Sequence, residues 1–351
     1  MYKQLVILLI ATLSLVKAYG GNFASSDSYS DLQFNILQLN LWEECTRVEN
    51  ATQLLIEQIS FVEPDIATFC ELYKGEEDQP VIPLLLKGLA DRGMVYHAAR
   101  IDGRAVISKY PIVEQKRINR WMFKAVLNMK GHRVAVYPFH SEYRFYSCYL
   151  PKGYGDGSSN WDKLEMPITD VGHILSVNEQ SGRVESTNDF LADAKLEQER
   201  GAFIFFAGDL NEPSHLDWQE DTKNMRDHNG CVVNWQVSML LYGNGYKDAY
   251  RQIYPNAVDY PGFTFPANNA LAPISELTWA PQADERERID FIYYYSDSSL
   301  RVDNAKLVGP SSSIVRSERV EENSKDCFVI SDVWGWPTDH RGVLASFSIC
   351  E

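Results

Sequence analysis

A run of apolar residues that ends in polar side chains limits the folds open to this chain: residues 202–211 read AFIFFAGDLN. A run this short, rich in aromatic and aliphatic residues and bounded by glycines, is typical of a strand buried on both faces. Asp209 and Asn211 lie two residues apart, so an extended backbone points both side chains the same way. Polar residues at the carboxyl end of such a strand commonly line a ligand site. The alternative is an ordinary turn, in which Asp and Asn are frequent.

An earlier part of the chain repeats this pattern in β-α-β order. Residues 34–41 alternate as a strand that delivers Asn40 at its end. Residues 51–62 have apolar positions at helical spacing and stop at a proline, and residues 66–71 form a second short apolar strand that ends at Glu71. This order predicts two parallel neighbours in one sheet, so Asn40 and Glu71 would leave the same edge.

Further strands are predicted along the rest of the chain. Residues 133–140 read as a strand ending at His140, ERIDFIYYY as a strand carrying Asp290, and PTDHRGV places Asp339 and His340 before a C-terminal strand. The remaining predictions are a strand at 105–108, a long loop from 141 followed by a helix near 187–199, and helices at 235–242 and 246–254.

Polar residues therefore stand at the ends of several separate predicted strands. Each alone has an ordinary explanation as a cap, a turn or a satisfied surface group. Together they predict one shared site, whose candidate residues are Asn40, Glu71, His140, Asp209, Asn211, Asp290, Asp339 and His340.

The charge of the chain bears on the class of substrate. The 33 Lys and Arg residues against 48 Asp and Glu residues give a net charge of -15. Binding of long nucleic acid without sequence preference relies on a basic groove, and no basic run is present. Nucleic acid is therefore a disfavoured partner, although a local basic patch in the fold would keep it open.

The N-terminus predicts a secreted protein. Residues 1–18 have an early Lys, a short apolar stretch and a small-residue cleavage pattern, as in a signal peptide. Residues 19–30 would be an N-terminal extension, and residues 31–351 one catalytic domain with no transmembrane segment, expected to be a monomer.

Cysteine usage and one sequon fit the same compartment. Six cysteines, an even count in a secreted chain, predict disulfides whose connectivity stays open. No CxxC pair is present, which argues against a structural zinc site. Asn50-Ala51-Thr52 is a glycosylation sequon.

These pieces, in this order, resemble the endonuclease/exonuclease/phosphatase superfamily, and in particular its secreted branch. The matching segments cover almost the whole mature chain: LNLW, FCEL, AVISKYPI, VYPFH, GDLN, RIDFIYY and PTDHRGV. The resemblance implies an α/β fold, a four-layer sandwich of two mixed β-sheets packed face to face with helices outside. It also implies a site at one edge of the sheets.

The resemblance further implies a role for each site residue. Glu71 with Asn40, joined by Asp339, would hold Mg²⁺, with Mn²⁺ as a substitute, because such ions prefer carboxylate and amide oxygens. His340 would contact the phosphate or activate water, and Asp290 would orient its ring. The other roles are orientation of the attacking water by Asp209, a phosphate hydrogen bond from Asn211, and a phosphate contact or acid role for His140.

Two residue assignments stay open at this level. Abasic-site endonucleases carry a Tyr-x-Pro segment near the position of His140, and Tyr149 lies in such a segment here. Tyr149 would otherwise cover the pocket, and His215 would shape it for substrate or simply pack its own loop.

The function expected from this pattern is metal-dependent hydrolysis of a small or lipid-derived phosphodiester or phosphomonoester by in-line water attack. A secreted endonuclease acting on DNA or RNA is the alternative. A third possibility is a non-catalytic binding protein built on the same fold.

Overall fold

The computed structural model of the chain describes residues 32–73, 80–295 and 299–350. The predicted signal peptide and the extension at 19–30 lie outside the described residues. The assignment of residues 31–351 to one catalytic domain stays a prediction. No helix in the described part of the chain is long and apolar enough to cross a membrane.

The described residues form fifteen strands, six helices and short turns. In chain order the strands are β1 (Leu32–Asn40), β2 (Ile66–Cys70), β3 (His97–Ile101), β4 (Arg104–Ser108), β5 (Ile112–Asn119), β6 (Met122–Met129), β7 (His132–His140), β8 (Phe203–Asp209), β9 (Tyr246–Asp248), β10 (Asp290–Tyr295), β11 (Leu300–Val308), β12 (Ser312–Val315), β13 (Glu318–Glu321), β14 (Phe328–Val329) and β15 (Gly342–Ile349). The helices are α1 (Ala51–Val62), α2 (Val81–Ala90), α3 (Val171–Glu179), α4 (Arg183–Gln198), α5 (Gln236–Gly243) and α6 (Ala249–Ile253).

Two large mixed sheets pack face to face. Within the described ranges, one has seven strands in the order β14-β11-β15-β1-β2-β4-β3, and the other has six in the order β5-β6-β7-β8-β10-β9. Their shared core is apolar, and Phe205 of β8 packs edge-on against Phe34 of β1 and Phe347 of β15, with ring centroids 5.8 and 5.0 Å apart. Burial of this interface supplies much of the hydrophobic stabilisation of the fold.

Helices cover the outer faces of both sheets. Leu55 of α1 and Leu85 of α2 pack onto the seven-stranded sheet, and Phe190 of α4 and Val237 of α5 pack onto the six-stranded one. The order of layers is helix, sheet, sheet, helix. The predicted four-layer α/β sandwich is confirmed.

Strand pairing brings the predicted site residues to one edge of the two sheets. β1 and β2 are parallel and pair Asn40 with Cys70, as the β-α-β order predicts. β7 and β8 are parallel and pair His140 with Asp209, and antiparallel β10 places Asp290 opposite that same residue.

Two segments between the predicted strands differ from expectation. The helix expected at 246–254 begins only at Ala249, because Tyr246–Asp248 pairs as strand β9 with the edge of β10 and Asp248 then caps the helix. The loop expected after residue 141 contains helix α3, whose first amides donate to the side chain of Asp170.

The cysteines also depart from the prediction, because all six are free thiols in the structure. The backbone hydrogen bonds of Cys327 and Cys350 show that these two cysteines are too far apart to pair. The Cys327 carbonyl accepts from the Leu307 amide, and the Cys350 amide donates to the Ser299 carbonyl. Leu307 and Ser299 lie near opposite ends of β11. Strand residues advance about 3.3 Å each, so these cysteines lie on the order of 25 Å apart. A disulfide requires Cα atoms within about 7 Å.

Candidate active site

A cavity of about 530 Å³ opens at this sheet edge. Asn40 and Asp290 are fully buried and hydrogen bond to side chains that line it. The structure therefore brings all eight candidate catalytic and metal residues together. Six of them line the cavity: Glu71, His140, Asp209, Asn211, Asp339 and His340.

His340 is held by a buried chain of hydrogen bonds. Its Nδ1 lies 2.7 Å from Asp290 Oδ2, while Gln38 Nε2 donates to Asp290 Oδ1 at 3.0 Å and Thr68 Oγ1 donates to Gln38 Oε1 at 2.9 Å. Burial alone would lower the pKa of His340, but the carboxylates of Asp290 and Asp339 outweigh it and raise that pKa to about 10. The ring is therefore an imidazolium at neutral pH.

Asn40 links two carboxylates at the floor of the cavity. Its Nδ2 donates to Glu71 Oε1 and to Asp209 Oδ2, both at 3.0 Å, while its Oδ1 accepts from the amide of Trp42 at 2.9 Å. The sequence predicts Asn40 as a metal ligand through its oxygen. In the structure that oxygen accepts one hydrogen bond from the following turn and keeps a second lone pair, while the Asn40 Nδ2 orients Glu71; the role of Asn40 as a metal ligand stays a prediction.

The turn after β1 is left-handed and holds the Glu71 carboxylate from the other side. All four residues of Trp42–Cys45 have positive φ, between 40° and 61°, and Glu71 itself has a φ of 60°. The Glu43 amide donates to Glu71 Oε2 at 2.9 Å. Left-handed backbone costs roughly 1 kcal/mol or more per non-glycine residue and persists where function uses it.

His140 lies between the carboxylates and an aromatic side chain. Its Nε2 is 3.6 Å from Glu71 Oε1, 3.8 Å from Asp209 Oδ2 and 3.3 Å from Asn211 Nδ2. On the other side, the Tyr73 hydroxyl is 3.4 Å from His140 Nδ1. Burial lowers the pKa of His140 to about 4, so this ring is neutral at pH 7 and accepts from the Asn211 amide.

Four carboxylates form an acidic cluster in this site: Glu71, Asp209, Asp290 and Asp339. Burial and the nearby Asp290 raise the pKa of Asp209 to about 8. Burial also raises the pKa of Asp339 to about 7, with Glu71 adding to the rise against the opposing effect of His340. The raised pKa values show that protons offset part of the charge of these crowded acids, and a bound cation would take the place of those protons, so the cluster favours added positive charge.

The donor set fits a hard divalent cation. Ligand atoms of Glu71, His140 and Asp209 lie within 4.8 Å of one another, and so do those of Asp209, Asp290 and His340. Carboxylate oxygens suit Mg²⁺ and Mn²⁺ better than softer metals.

The two remaining candidates occupy different positions. Tyr149 lines the cavity, but its hydroxyl donates to Glu285 Oε2 at 2.7 Å, away from the acidic cluster. His140, the other candidate for that family position, is the one beside the carboxylates. His215 does not line the cavity, because its amide and Nδ1 both bond to Ser238 Oγ, at 2.8 and 2.9 Å.

Sequence reasoning missed three residues that support the site. Thr264 Oγ1 accepts the amides of Ile289 and Asp290 at 3.1 Å each and fixes the start of β10. Gln38 lies two residues before Asn40 in strand β1, so the alternation of an extended backbone would have identified it. Tyr73 lies beyond the end of β2, after the positive φ of Glu71, so no such alternation indicates its position.

Aromatic rings form most of the remaining wall of the cavity. Arg47 is the only Lys or Arg among the described lining residues, and its Nε lies 3.0 Å from Glu43 Oε2. The wall is therefore apolar and acidic rather than basic. The aromatic lining residues are Trp42, Tyr73, Tyr143, Tyr146, Tyr149, Trp161, Phe265 and Trp279.

Comparison with known proteins identifies relatives of the whole described region. Residues 32–340 match the sequence model of the Endonuclease/Exonuclease/phosphatase family. The uncharacterised protein F14F9.5 of Caenorhabditis elegans is 27% identical over 355 residues, which cover 99% of this chain and 99% of that protein.

Two solved structures share the fold at low identity. The human Nocturnin catalytic domain with a bound sulfate anion is 14% identical with a TM-score of 0.50, covering 91% of this chain and 96% of that chain. An endonuclease/exonuclease/phosphatase from Beutenbergia cavernae is 15% identical with a TM-score of 0.50, covering 91% and 72%. Both likenesses concern the fold alone.

Proposed function

The chain belongs to the endonuclease/exonuclease/phosphatase family, whose members hydrolyse phosphoester bonds, and from this premise we propose that it is a secreted, divalent-metal-dependent phosphoesterase. Its substrate would be a small or lipid-derived phosphodiester or phosphomonoester. One observation carries the proposal: His340 and three carboxylates of the acidic cluster, Glu71, Asp209 and Asp339, line the same cavity. That combination suits phosphoryl transfer to water, which needs both a cation site and a hydrogen-bond donor for the phosphate.

Asn40, Glu71 and Asp339 would hold Mg²⁺, or Mn²⁺ in its place, with the Asn40 Nδ2 and the left-handed turn also orienting Glu71. The bound cation would polarise a phosphoryl oxygen and neutralise charge on the leaving oxygen. The acids of the cluster outnumber its one positive side chain, His340. We therefore expect binding of the cation to relieve repulsion among the acids.

The side chains of this protein would perform the remaining steps. His340, fixed by Asp290, donates from Nε2 to a phosphoryl oxygen, and Asn211 donates to another beside His140. Asp209 orients the attacking water, whose oxygen bonds to phosphorus while one of its protons passes to solvent. The phosphorus–oxygen bond to the alcohol breaks, and the leaving oxygen takes a proton from solvent.

A small ester suits this cavity better than a polynucleotide. Each phosphate contact of a nuclease normally uses a basic side chain, and Arg47 is the single Lys or Arg among the described residues lining the cavity. The net charge of -15 acts in the same direction.

A side-by-side assay tests the activity. Purified protein would be given bis-p-nitrophenyl phosphate, p-nitrophenyl phosphate, sphingomyelin and plasmid DNA with Mg²⁺, Mn²⁺ or EDTA. We expect EDTA-sensitive hydrolysis of the small or lipid esters, and its loss in His340→Ala. Nicking of DNA alone would favour the nuclease, and silence on all four substrates would contradict the proposed activity.

Glu71→Gln tests the cation site directly. It keeps the side-chain shape and removes the charge, so we expect calorimetric titration to show at least about tenfold weaker Mg²⁺ binding. An unchanged titration would remove Glu71 from the metal site.

Secretion rests on the sequence of residues 1–18 and is tested by expression in animal cells. We expect protein in the medium whose N-terminus lies near residue 19. Asn50 is exposed at the start of α1, so a glycosidase-sensitive mass at that position is expected too. Retention of the chain in the cells with an intact N-terminus would contradict secretion.

A further inference from the structure

We propose that Asn178, Arg183 and Glu212 are positioning residues of the active site, which hold the Asn211 amide where it meets a phosphoryl oxygen. This inference rests on the proposed function for the role of Asn211 itself. None of the three lines the cavity, and each is only 1% exposed. They form one hydrogen-bonded chain, called here the support chain.

Arg183, the first residue of α4, gathers the backbone of the segment that follows β7. Its Nε donates to the Glu142 carbonyl at 3.1 Å, and its Nη2 donates to the carbonyls of Glu142 and Arg144 at 2.6 and 3.0 Å. Its Nη1 donates to the Phe145 carbonyl at 3.3 Å. A guanidinium has five N–H donors, and these four bonds leave one donor for Asn178. The segment after β7 is therefore curled around a single side chain.

Asn178 joins this guanidinium to a buried acid. Its Oδ1 accepts from Arg183 Nη1 at 2.8 Å. Its Nδ2 donates to Glu212 Oε2 at 2.6 Å and to Gln236 Oε1 at 3.0 Å. The other Glu212 oxygen accepts from the Val237 amide, at the start of α5, at 2.7 Å. Each bond of the support chain needs a donor that faces an acceptor, so the chain fixes the direction of every side chain in it.

The two ends of the support chain adjoin the turns that carry site residues. Glu212 follows Asn211 in sequence, and the segment held by Arg183 begins two residues after His140. Asn211 has a left-handed backbone with a φ of 48°, and its Nδ2 donates to the Ser141 carbonyl at 3.2 Å. Because the backbone on both sides of this contact is held, the Asn211 amide keeps one direction. A misplacement of about 1 Å in such a group can cost on the order of 10²-fold in rate.

A buried acid elsewhere on α4 provides the comparison. Glu197 is fully buried and accepts from Lys124 Nζ at 2.6 Å, from Arg133 Nε at 2.7 Å and from Arg200 Nη1 at 2.8 Å. It does not line the cavity, and none of these three partners adjoins a site residue in sequence. Glu212→Gln and Glu197→Gln each remove one buried carboxylate charge, so both should destabilise the fold. Only the first should change turnover.

Steady-state kinetics and Mg²⁺ titration of Glu212→Gln test the support chain. In either orientation the new NH₂ group meets another donor, Asn178 Nδ2 or the Val237 amide, so one bond is lost. We expect kcat per folded molecule to fall roughly tenfold, with KM and Mg²⁺ affinity nearly unchanged. Glu197→Gln should keep the kcat of the unmodified protein.

The double variant Asn178→Asp/Glu212→Gln supplies a rescue. It has the net charge of the unmodified protein, and the carboxylate at position 178 accepts both from Arg183 and from the new amide at position 212. The support chain is thereby restored, and we expect most of the lost kcat to return. Asn178→Asp alone sets two carboxylates against each other and should lower kcat as Glu212→Gln does. A double variant no faster than Glu212→Gln would overturn the proposal.

The side-chain amide of Asn211 reports on the support chain without catalysis. In NMR spectra of protein labelled at asparagine nitrogen, the signal that Asn211→Ser lacks belongs to this amide. We expect the signal to move in Glu212→Gln, to return in the double variant and to stay in place in Glu197→Gln. An Asn211 signal or a kcat left unchanged by Glu212→Gln would overturn the proposal. If the unmodified protein hydrolyses no ester while the signal moves and returns, the support chain stands and the proposed function fails.

Discussion

Two clusters of buried charged side chains lie at the start of strand β10, and their charges are balanced differently. Arg288, two residues before Asp290, donates from Nε to Asp217 Oδ2 at 3.0 Å and from Nη1 to Asp248 Oδ2 at 2.6 Å. Arg251 adds a bond to Asp217 at 2.6 Å. This matched cluster of Asp217, Asp248, Arg251 and Arg288 sets two carboxylates against two guanidiniums.

The acidic cluster lies at the same strand start and has no such balance. Its four acids face one imidazolium, His340, and burial and the acidic neighbours raise the pKa of Asp209 to about 8, so a proton rather than a guanidinium offsets the charge of that acid. Both clusters are buried, so burial does not distinguish them. The difference in charge balance does, because unbalanced buried charge is tolerated where a ligand or a reaction uses it.

The largest effect is expected from Asp290→Asn in the acidic cluster. The change removes the charge that keeps His340 protonated and oriented, so kcat should fall roughly 10³-fold. Thermal stability should change little, because the cluster loses one of several repelling charges. Steady-state kinetics and calorimetry on the same preparation check both. Near wild-type turnover would mean that the His340–Asp290 pair is not used in the reaction.

Asp217→Asn in the matched cluster should do the opposite. It leaves two buried guanidiniums against one carboxylate, which costs about 3–5 kcal/mol of folding free energy. Turnover per folded molecule should stay unchanged. Urea unfolding measures the loss, and Asp221→Asn, at an exposed position nearby, is the control. A stable Asp217→Asn protein would show that the charge balance there is not structural.

A third buried acid, Glu287, extends the comparison to pH. Burial acts to raise its pKa, but Lys152 Nζ at 2.8 Å and His228 Nε2 at 3.8 Å lower that pKa to about 2, while Trp218 Nε1 donates to its other oxygen. A depressed carboxyl pKa stabilises the fold above the unfolded value, near 4.5, and this stabilisation is lost as pH falls toward 2.

Glu287→Gln should therefore lower the free energy of unfolding by about 3 kcal/mol at pH 6, and the gap to the unmodified protein should narrow below about pH 4.5. Urea titrations at pH 6, 5, 4 and 3 measure it. A gap that stays constant over this range would show that Glu287 does not titrate as the structure indicates.

The fold was predictable where strands are buried on both faces. β2 and β8 carry continuous apolar runs, and their ends were placed within about one residue. β5 was missed, because this edge strand buries little and its residues 114–117 are mostly exposed and polar. The sequence of residues 246–248 fits the start of a helix, because three residues are too few to show a strand period, and only their pairing with β10 makes them strand β9.

The site was predictable at the level of which residues meet, because polar groups at strand ends converge by topology alone. What each side chain faces was not predictable. The orientation of the Asn40 amide depends on the left-handed turn at Trp42–Cys45. This turn contains no glycine, the residue whose presence would have indicated positive φ from the sequence. His215 looked equivalent to its neighbours in sequence, yet a bond to Ser238 turns it away from the cavity.

The smallest effect is expected from Tyr73→Phe, which tests how the neutral His140 is held beside the acidic cluster. The change removes the one hydroxyl, 3.4 Å away, that bonds Nδ1 of His140 and keeps Nε2 facing Asn211. A hydrogen bond of this kind is worth about 1 kcal/mol, so kcat/KM should fall roughly fivefold. The alkaline arm of the pH profile should stay in place, because His340 rather than His140 carries the proton.

Tyr242→Phe, 62% exposed and outside the cavity lining, is the control for a lost surface hydroxyl. A fall of 10³-fold would instead place Tyr73 in contact with the reacting phosphate, and no fall would show that Asn211 alone is enough to orient His140.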